Sequence, residues 1–421
     1  MPTVVLNNQI QLFWHTDTAY NSNLYSIHIG LPRTDQNAAT ASVLAALCRR
    51  GCDEYPDFAA LNRRLYALYG AAFLCNVTAA SDRLYLNMAL QCIDDRFAFE
   101  GESIGRGAVD FLLKELFCRS FDSDHLPQED IELEKQNLIQ DIRGIVDNKR
   151  EYLLQQATGA VYGDTPLAVH RFGSEEQAAA VTRDSLQQLY QSALNKGEIF
   201  VTMVGCSDFA AEKEMFAARL NQLPCRQVTP LAPLALPRDY RGDRYIALPV
   251  SQSKLALCYL PPAPLKDEQM DTARVALAML GKMPTSRLFM QVREKLSLCY
   301  YCDVSISRAT GLMCIDLGLN QQDTKRAIQA IQQQIDALAA GDWQPEEFEL
   351  AKKYLINAQR AARESLASME SWYFNQLLYQ QQRTPQQDVQ AIQGVTPHQV
   401  AQLLAGYQRV HTCQIIKEEQ P

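Results

Sequence analysis

The sequence predicts an α+β protein made of two homologous α/β-roll domains, each an antiparallel sheet packed against helices. Three observations lead there. The 421 residues exceed what a single core ordinarily holds, and 47% apolar against 21% charged residues supply material for more than one. Local patterns recur in the same order at a spacing of roughly 210 to 230 residues. Strand-like and helical stretches also mix without strict βαβ alternation.

The elements follow in order. A helix over residues 37–50 ends in Arg49 and Arg50, cations that suit a helix C-terminus, with Gly51 just beyond it. The next helix begins at Pro56-Asp57, carries Phe58, Leu61, Leu65 and Leu68 at helical spacing, and stops at Gly70. Cys75-Asn-Val-Thr78 and the run 84–90 read as strands, and Cys302-Asp-Val-Ser305 and 312–319 repeat the pair. Residues 133–162 and 346–379 read as long helical regions with polar faces rich in Gln, Glu, Lys and Arg.

Val181-Thr-Arg-Asp-Ser-Leu-Gln-Gln-Leu-Tyr190 resembles Val395-Thr-Pro-His-Gln-Val-Ala-Gln-Leu-Leu404. In each, a Thr (Thr182, Thr396) stands where a helix N-cap belongs. Each helix leads into a β-rich run, 199–204 and 412–416. Between the halves, residues 223–239 hold four prolines, which exclude regular helix or central strand and favour an extended linker. The expected division is therefore a domain over 1–223, a linker over 224–243 and a second domain over 244–421.

A net charge of −8 argues against a nucleic-acid surface, which needs a basic footprint. No run approaches the roughly 18 apolar residues of a membrane helix. The N-terminus shows no basic segment followed by an apolar one, so a cytoplasmic location is expected. Twelve cysteines without a secretory signal read as reduced, mostly buried thiols. Cys299-x-x-Cys302 is the only C-x-x-C, and Cys48-x-x-x-Cys52 is the nearest second pair. Strand alternation is expected to send Cys299 and Cys302 to opposite faces, which disfavours a four-cysteine zinc site.

Ser286-Arg-Leu-Phe-Met-Gln-Val-Arg-Glu-Lys-Leu-Ser-Leu-Cys-Tyr300 resembles the S-R-L-F/Y-x-x-V/I-R-E-x-x-x-L-A-Y signature of pitrilysin/insulinase-type zinc peptidases, a group that includes the mitochondrial processing peptidases. Weaker similarity covers nearly the whole chain, through Arg50-Gly51, Tyr55-Pro-Asp57, Leu68-Tyr-Gly70, Tyr162-Gly-Asp-Thr-Pro-Leu167 and Phe172-Gly173. The resemblance implies two homologous domains per subunit. It also implies that two subunits, or two halves of a longer chain, close around a peptide. One domain supplies the metal and another an Arg/Tyr pair, here Arg293 and Tyr300, that grips the peptide backbone near the scissile bond.

The family's inverted zinc motif, H-x-x-E-H, is absent from the sequence. Aligned on Arg50-Gly51, Ser42 and Ala46 take the places of the two His ligands, Ala45 that of the general-base Glu, and Asp141 that of the third ligand. A catalytic zinc needs three protein ligands, and Ala45 cannot take a proton from water. The six histidines (15, 28, 125, 170, 398, 411) show no helix-ligand spacing, and His170 reads as a hydrogen-bonded structural residue. No metal and no cofactor are therefore expected in this chain.

Periodicity alone makes Arg293 a surface helix residue paired with Glu294 or Glu268, and Tyr300 a half-buried strand residue. The surrounding motif makes both substrate-binding candidates, since an Arg fork holds carbonyls and a Tyr hydroxyl donates to an oxyanion. The family's Gly before L-A-Y is Ser297 here, and Leu296 replaces a basic residue. The reading implied is a non-catalytic, substrate-binding subunit of a heterodimeric zinc peptidase. Its partner would be a homologous subunit that carries H-x-x-E-H and the zinc, and its substrate a peptide. In isolation the chain could pair with itself. The rival readings are an inert scaffold of the same fold, and an active peptidase with an unconventional metal site.

Overall fold

The computed structural model describes residues 3–99 and 101–418. A six-stranded sheet holds β1 (Thr3–Val5), β2 (Gln11–Thr16), β3 (Ser22–Pro32), β4 (Ala72–Ala80), β5 (Arg83–Ile93) and β6 (Glu198–Gly205), in the order β1-β2-β6-β3-β5-β4. A five-stranded sheet holds β7 (Asp243–Leu248), β8 (Ser253–Leu260), β9 (Tyr301–Ile306), β10 (Met313–Leu319) and β11 (Gln408–Lys417), in the order β7-β11-β8-β10-β9. Without β1 the two orders are identical, so the repeat and the α+β class are both present. In each sheet the last strand slots between the first two of the shared pattern. This makes β2–β6 and β7–β11 parallel and the remaining pairs antiparallel.

The first half of the chain forms α1 (Asp35–Cys48), α2 (Phe58–Ala67), α3 (Ile104–Phe117), α4 (Gln128–Gly144), α5 (Lys149–Tyr162), α6 (Glu175–Ala179), α7 (Arg183–Lys196) and α8 (Ala210–Leu220). The second forms α9 (Asp267–Leu277), α10 (Thr324–Ala339), α11 (Pro345–Ala362), α12 (Leu366–Leu378), α13 (Pro385–Gly394) and α14 (Pro397–Ala405). Caps set these limits. Thr34 and Asp57 accept from Asn37 and Ala60, and Thr182 and Thr396 close capping boxes with Ser185 and Gln399. Among the described residues no helix is long and apolar enough to cross a membrane.

The compact units are not contiguous in sequence. One gathers the chain up to Arg143 with Val169–Leu231 and Ala362–Gln382; the other gathers Gly144–Ala168, Ala232–Ala361 and the chain from Arg383 onward. Each sheet buries one face under helices of its own half. The opposite face is covered by a helix from the other half. In the first unit Met369, Tyr373, Phe374 and Leu377 of α12 pack on Phe13, Tyr85 and Phe200. In the second, Leu153, Ala157 and Val161 of α5 pack on Ala256, Cys258, Cys314 and Cys413.

With both faces covered, strands such as β6 and β10 are buried at every residue and lack polar alternation. The exchange also divides the long helical regions over 133–162 and 346–379 into two helices each. Each breaks, at 145–148 and 363–365, where the chain passes between units. Periodicity shows an apolar stripe but not which sheet will receive it. The proline-rich stretch is strapped down as well. In the first unit Arg226 donates to the Gly197 carbonyl at 2.9 Å, and in the second Leu234 N–H donates to the Ala309 carbonyl at 2.6 Å.

An ionic anchor fixes each exchanged helix. In the first unit Glu370 of α12 meets His28 Nε2 at 2.7 Å and accepts from Thr202 Oγ1 at 2.6 Å, while His28 Nδ1 faces Asn87 Oδ1 at 2.8 Å. The His28 ring stacks on Phe374 with centroids 3.7 Å apart. In the second unit Arg150 of α5 forks onto Asp316 at 2.6 and 2.9 Å and donates to Asp303 at 2.7 Å. Asn76 pairs with Asn87 across β4 and β5 as Asp303 pairs with Asp316 across β9 and β10. The repeat thus places its polar row where the foreign helix docks.

Burial pushes the Glu370 carboxyl up, but His28 and the hydrogen bonds around it outweigh burial and hold it below the ordinary value. A carboxyl lowered in the folded state gives stability that is full above its unfolded value, about 4.3, and lost as pH falls through the folded one. Glu370→Gln is expected to lower Tm at pH 7 and to remove part of the acid-side decline seen in the wild type. Parallel Tm-against-pH curves would show that the pair contributes nothing.

Candidate functional site

Two places match the residues singled out by sequence, one in each unit. In the first unit α1 presents Ser42, Ala45, Ala46 and Arg49 along one face, and α4 presents Glu134, Asn137, Leu138 and Asp141 along another. Together with Asn76, Val77, Arg171 and Phe172 they line a cavity of about 170 Å³. The residues aligned with the lost metal motif therefore do share one cavity with Asp141. Sequence reasoning missed Glu134, Asn137, Arg49 and Arg171. The helical spacing from Asp141 back to Glu134 was the available signal.

The donor chemistry does not fit zinc. Ser42 Oγ donates to the Arg171 carbonyl at 3.2 Å, and Ala45 and Ala46 offer only methyl groups. Glu134 already accepts from Arg50 at 3.2 Å and from Asn137 at 3.1 Å. Arg49, held to the Cys75 carbonyl at 2.6 Å, places a further positive charge on the lining. Two carboxylates beside such cations fall short of three ligands. His170 Nδ1 accepts from the Phe172 N–H at 3.3 Å.

The second place is the segment with the Arg/Tyr signature. Residues Leu288–Lys295 wind as a π-helix, with Leu288 and Val292 buried and Arg293 half-buried. Such windings are rare and frequent at functional sites. The guanidinium of Arg293 lies over the Phe289 ring, 4.5 Å from its centroid, and its Nε is 3.6 Å from Glu294. Glu294 rather than Glu268 is thus the acidic neighbour.

Ser297 then turns the chain with φ +50°, the left-handed conformation that favours the glycine it replaces. Buried Leu298 and Cys299 pin the turn from beneath. Tyr300, just ahead of β9, is 60% exposed rather than half-buried. Its N–H donates to the Gly318 carbonyl at 2.8 Å and its hydroxyl reaches Asn320 Oδ1 at 3.4 Å. Arg293 and Tyr300 share the segment, and each side chain has its own partners.

Residues 180–355 match the family model described as "Peptidase M16 inactive domain". That segment of the chain is therefore similar to the M16 peptidases. This is the pitrilysin/insulinase-type family to which the Ser286–Tyr300 signature pointed. The chain is 23% identical over 355 residues to the "Probable inactive metalloprotease YmfF" of Bacillus subtilis, covering 83% of this chain and 81% of that one. Its fold is that of a conserved protein from Enterococcus faecalis (TM-score 0.88, 23% identity, 100% of this chain and 99% of the other). It is also that of a peptidase M16 inactive domain from Pseudomonas fluorescens (TM-score 0.78, 16% identity, 100% and 99%). Two alanines and a serine, Ala45, Ala46 and Ser42, stand where that family's base and two imidazole ligands would align.

Elemental analysis of the purified protein is expected to find no stoichiometric zinc, and the protein alone no peptide hydrolysis. About one zinc per chain together with chelator-sensitive cleavage would overturn the assignment. Ser297→Gly is expected to stabilise the chain. A left-handed L-residue costs about 1–2 kcal/mol, partly offset by glycine's entropy of about 0.5–1 kcal/mol. A rise in Tm of about 1–2 °C is the outcome; a fall would mean that the serine hydroxyl holds the turn.

Proposed function

We propose that this chain is the non-catalytic, substrate-binding subunit of a cytoplasmic, heterodimeric zinc metallopeptidase that processes peptides. The partner is a homologous subunit that carries H-x-x-E-H and the zinc. This chain contributes Arg293 and Tyr300 to the grip on the peptide. One observation carries the reading. A metal cavity without donors coexists with a signature segment whose Tyr300 keeps an exposed hydroxyl on a constrained turn. Retention of the gripping surface without the cutting surface is what a substrate-holding subunit requires.

Chemically, Tyr300 donates to the carbonyl oxygen of the bound peptide, where negative charge grows as water attacks, and Arg293 orients the strand. A single observation favours a second reading, the inert scaffold. Arg293 is folded onto Phe289 beside Glu294, so its guanidinium must leave both to reach a peptide.

Arg293→Ala and Tyr300→Phe decide between them in the assembled heterodimer. Loss of one oxyanion-type donor costs on the order of 10²–10³ in rate where it acts alone. Shared with the partner's zinc, the expected loss in kcat/KM is about tenfold or more. Tyr300→Phe removes only a hydroxyl on an exposed side chain, so assembly should be unchanged. Normal assembly with wild-type cleavage by both variants would leave the scaffold in place of the subunit proposed.

A further inference from the structure

The two sheets share one strand order, so each shows what the other lacks at an edge. In the first, β1 lies antiparallel outside β2, with Thr3, Val4 and Val5 opposite Phe13, Leu12 and Gln11. In the second, β7 takes the place of β2 and ends the sheet with no strand outside it. Matching Asn87 to Asp316 and following the paired registers across each sheet brings Gln11, Leu12 and Phe13 onto Arg244, Tyr245 and Ile246. By the same offset residues 236–238 would match β1. Pro237 has no N–H to give a ladder, and Arg238 is drawn to the Gly406 carbonyl at 2.7 Å. The edge is therefore left bare.

Burial follows the same division. Beside β1, Leu12 and Phe13 are 1% and 0% exposed, whereas Tyr245 is 61% exposed and Ile246 only half-buried. Among the described residues, β7 makes backbone hydrogen bonds outside its β11 ladder only at its last residue, Leu248. Arg244, exposed on this edge, has no ion pair among the described residues. Its neighbour Asp243 already accepts from the Tyr240 hydroxyl, so Arg244 is the charge left to be recognised.

We propose that the outer edge of β7 docks an extended segment of another polypeptide, which joins the sheet as an antiparallel strand. The segment carries an apolar residue opposite Ile246, a β-branched residue opposite Tyr245 and an acidic residue opposite Arg244. β1 supplies the direction and the register. Main-chain hydrogen bonds give such a strand its affinity, and alternate side chains its specificity. Aromatic rings pair well with β-branched side chains across strands, and so do opposite charges. A second copy of this chain fits less well. Two β7 edges would meet about a two-fold axis normal to the sheet, which keeps each face on its own side. Paired residues then share a face, so Arg244 would meet Gly242, Arg244, Ile246 or Leu248, none of them acidic. The charge points to a different chain. This surface draws on neither Arg293 nor Tyr300, so it stands apart from the peptide grip proposed above.

The test uses the full chain and two capped synthetic peptides, Thr-Ile-Val-Glu-Thr and Thr-Ile-Val-Lys-Thr, at millimolar concentration. Hydrogen exchange mapped by mass is expected to slow over residues 243–248 with the first peptide, and several-fold less with the second. Arg244→Glu, a change on an exposed side chain, should reverse that preference while the rest of the exchange map stays as in the wild type. Equal protection by both peptides, or protection by neither, would overturn the proposal. Protection of 243–248 that grows with the protein's own concentration, together with a dimer mass by light scattering, would assign the edge to a second copy and overturn it as well.

Discussion

A sheet with two apolar faces needs cover on both, and neither half of this chain completes its own sheet. The first half sends α5 to the second unit, and the second returns α12 to the first. Everything else depends on this exchange. Cut between residues 223 and 243, each half would expose the face that buries Phe13, Tyr85 and Phe200 in one unit, or Cys258, Cys314 and Val410 in the other. Exposed apolar surface of that kind destabilises a free domain and invites association. The two polar anchors, one buried at Glu370 and one half-exposed at Arg150, make the docking specific. Glu370 has no equally polar place to go but His28 and Thr202, and Arg150 none but the paired aspartates.

The helix faces that line the cavity remain although their chemistry is gone. Ala45 and Ala46 are small enough to leave the space open, and Glu134 has been drawn into an ion pair with Arg50. A carboxylate in that position would cost free energy if left unpaired, and the Arg50 cation on the adjoining turn stabilises it. The cavity is kept as architecture, because α1 and α4 still have to bury their apolar sides in the core around Val43, Leu44, Leu47 and Ile131. In the signature segment Ser297 takes up the left-handed conformation, at an energetic cost for an L-residue.

Sequence by itself determined the class, the repeat and most element positions, because these depend on local periodicity and on caps. Thr182 and Thr396 start their helices, and the strand pairs 75–78 with 84–90 and 302–305 with 312–319 form as read. Only the tertiary structure decided which surface each apolar stripe meets. Residues on α5 and α12 carry the same kind of pattern as their neighbours α4 and α11, and nothing local states that they belong to another sheet. Long-range packing settled that, and with it the breaks at 145–148 and 363–365.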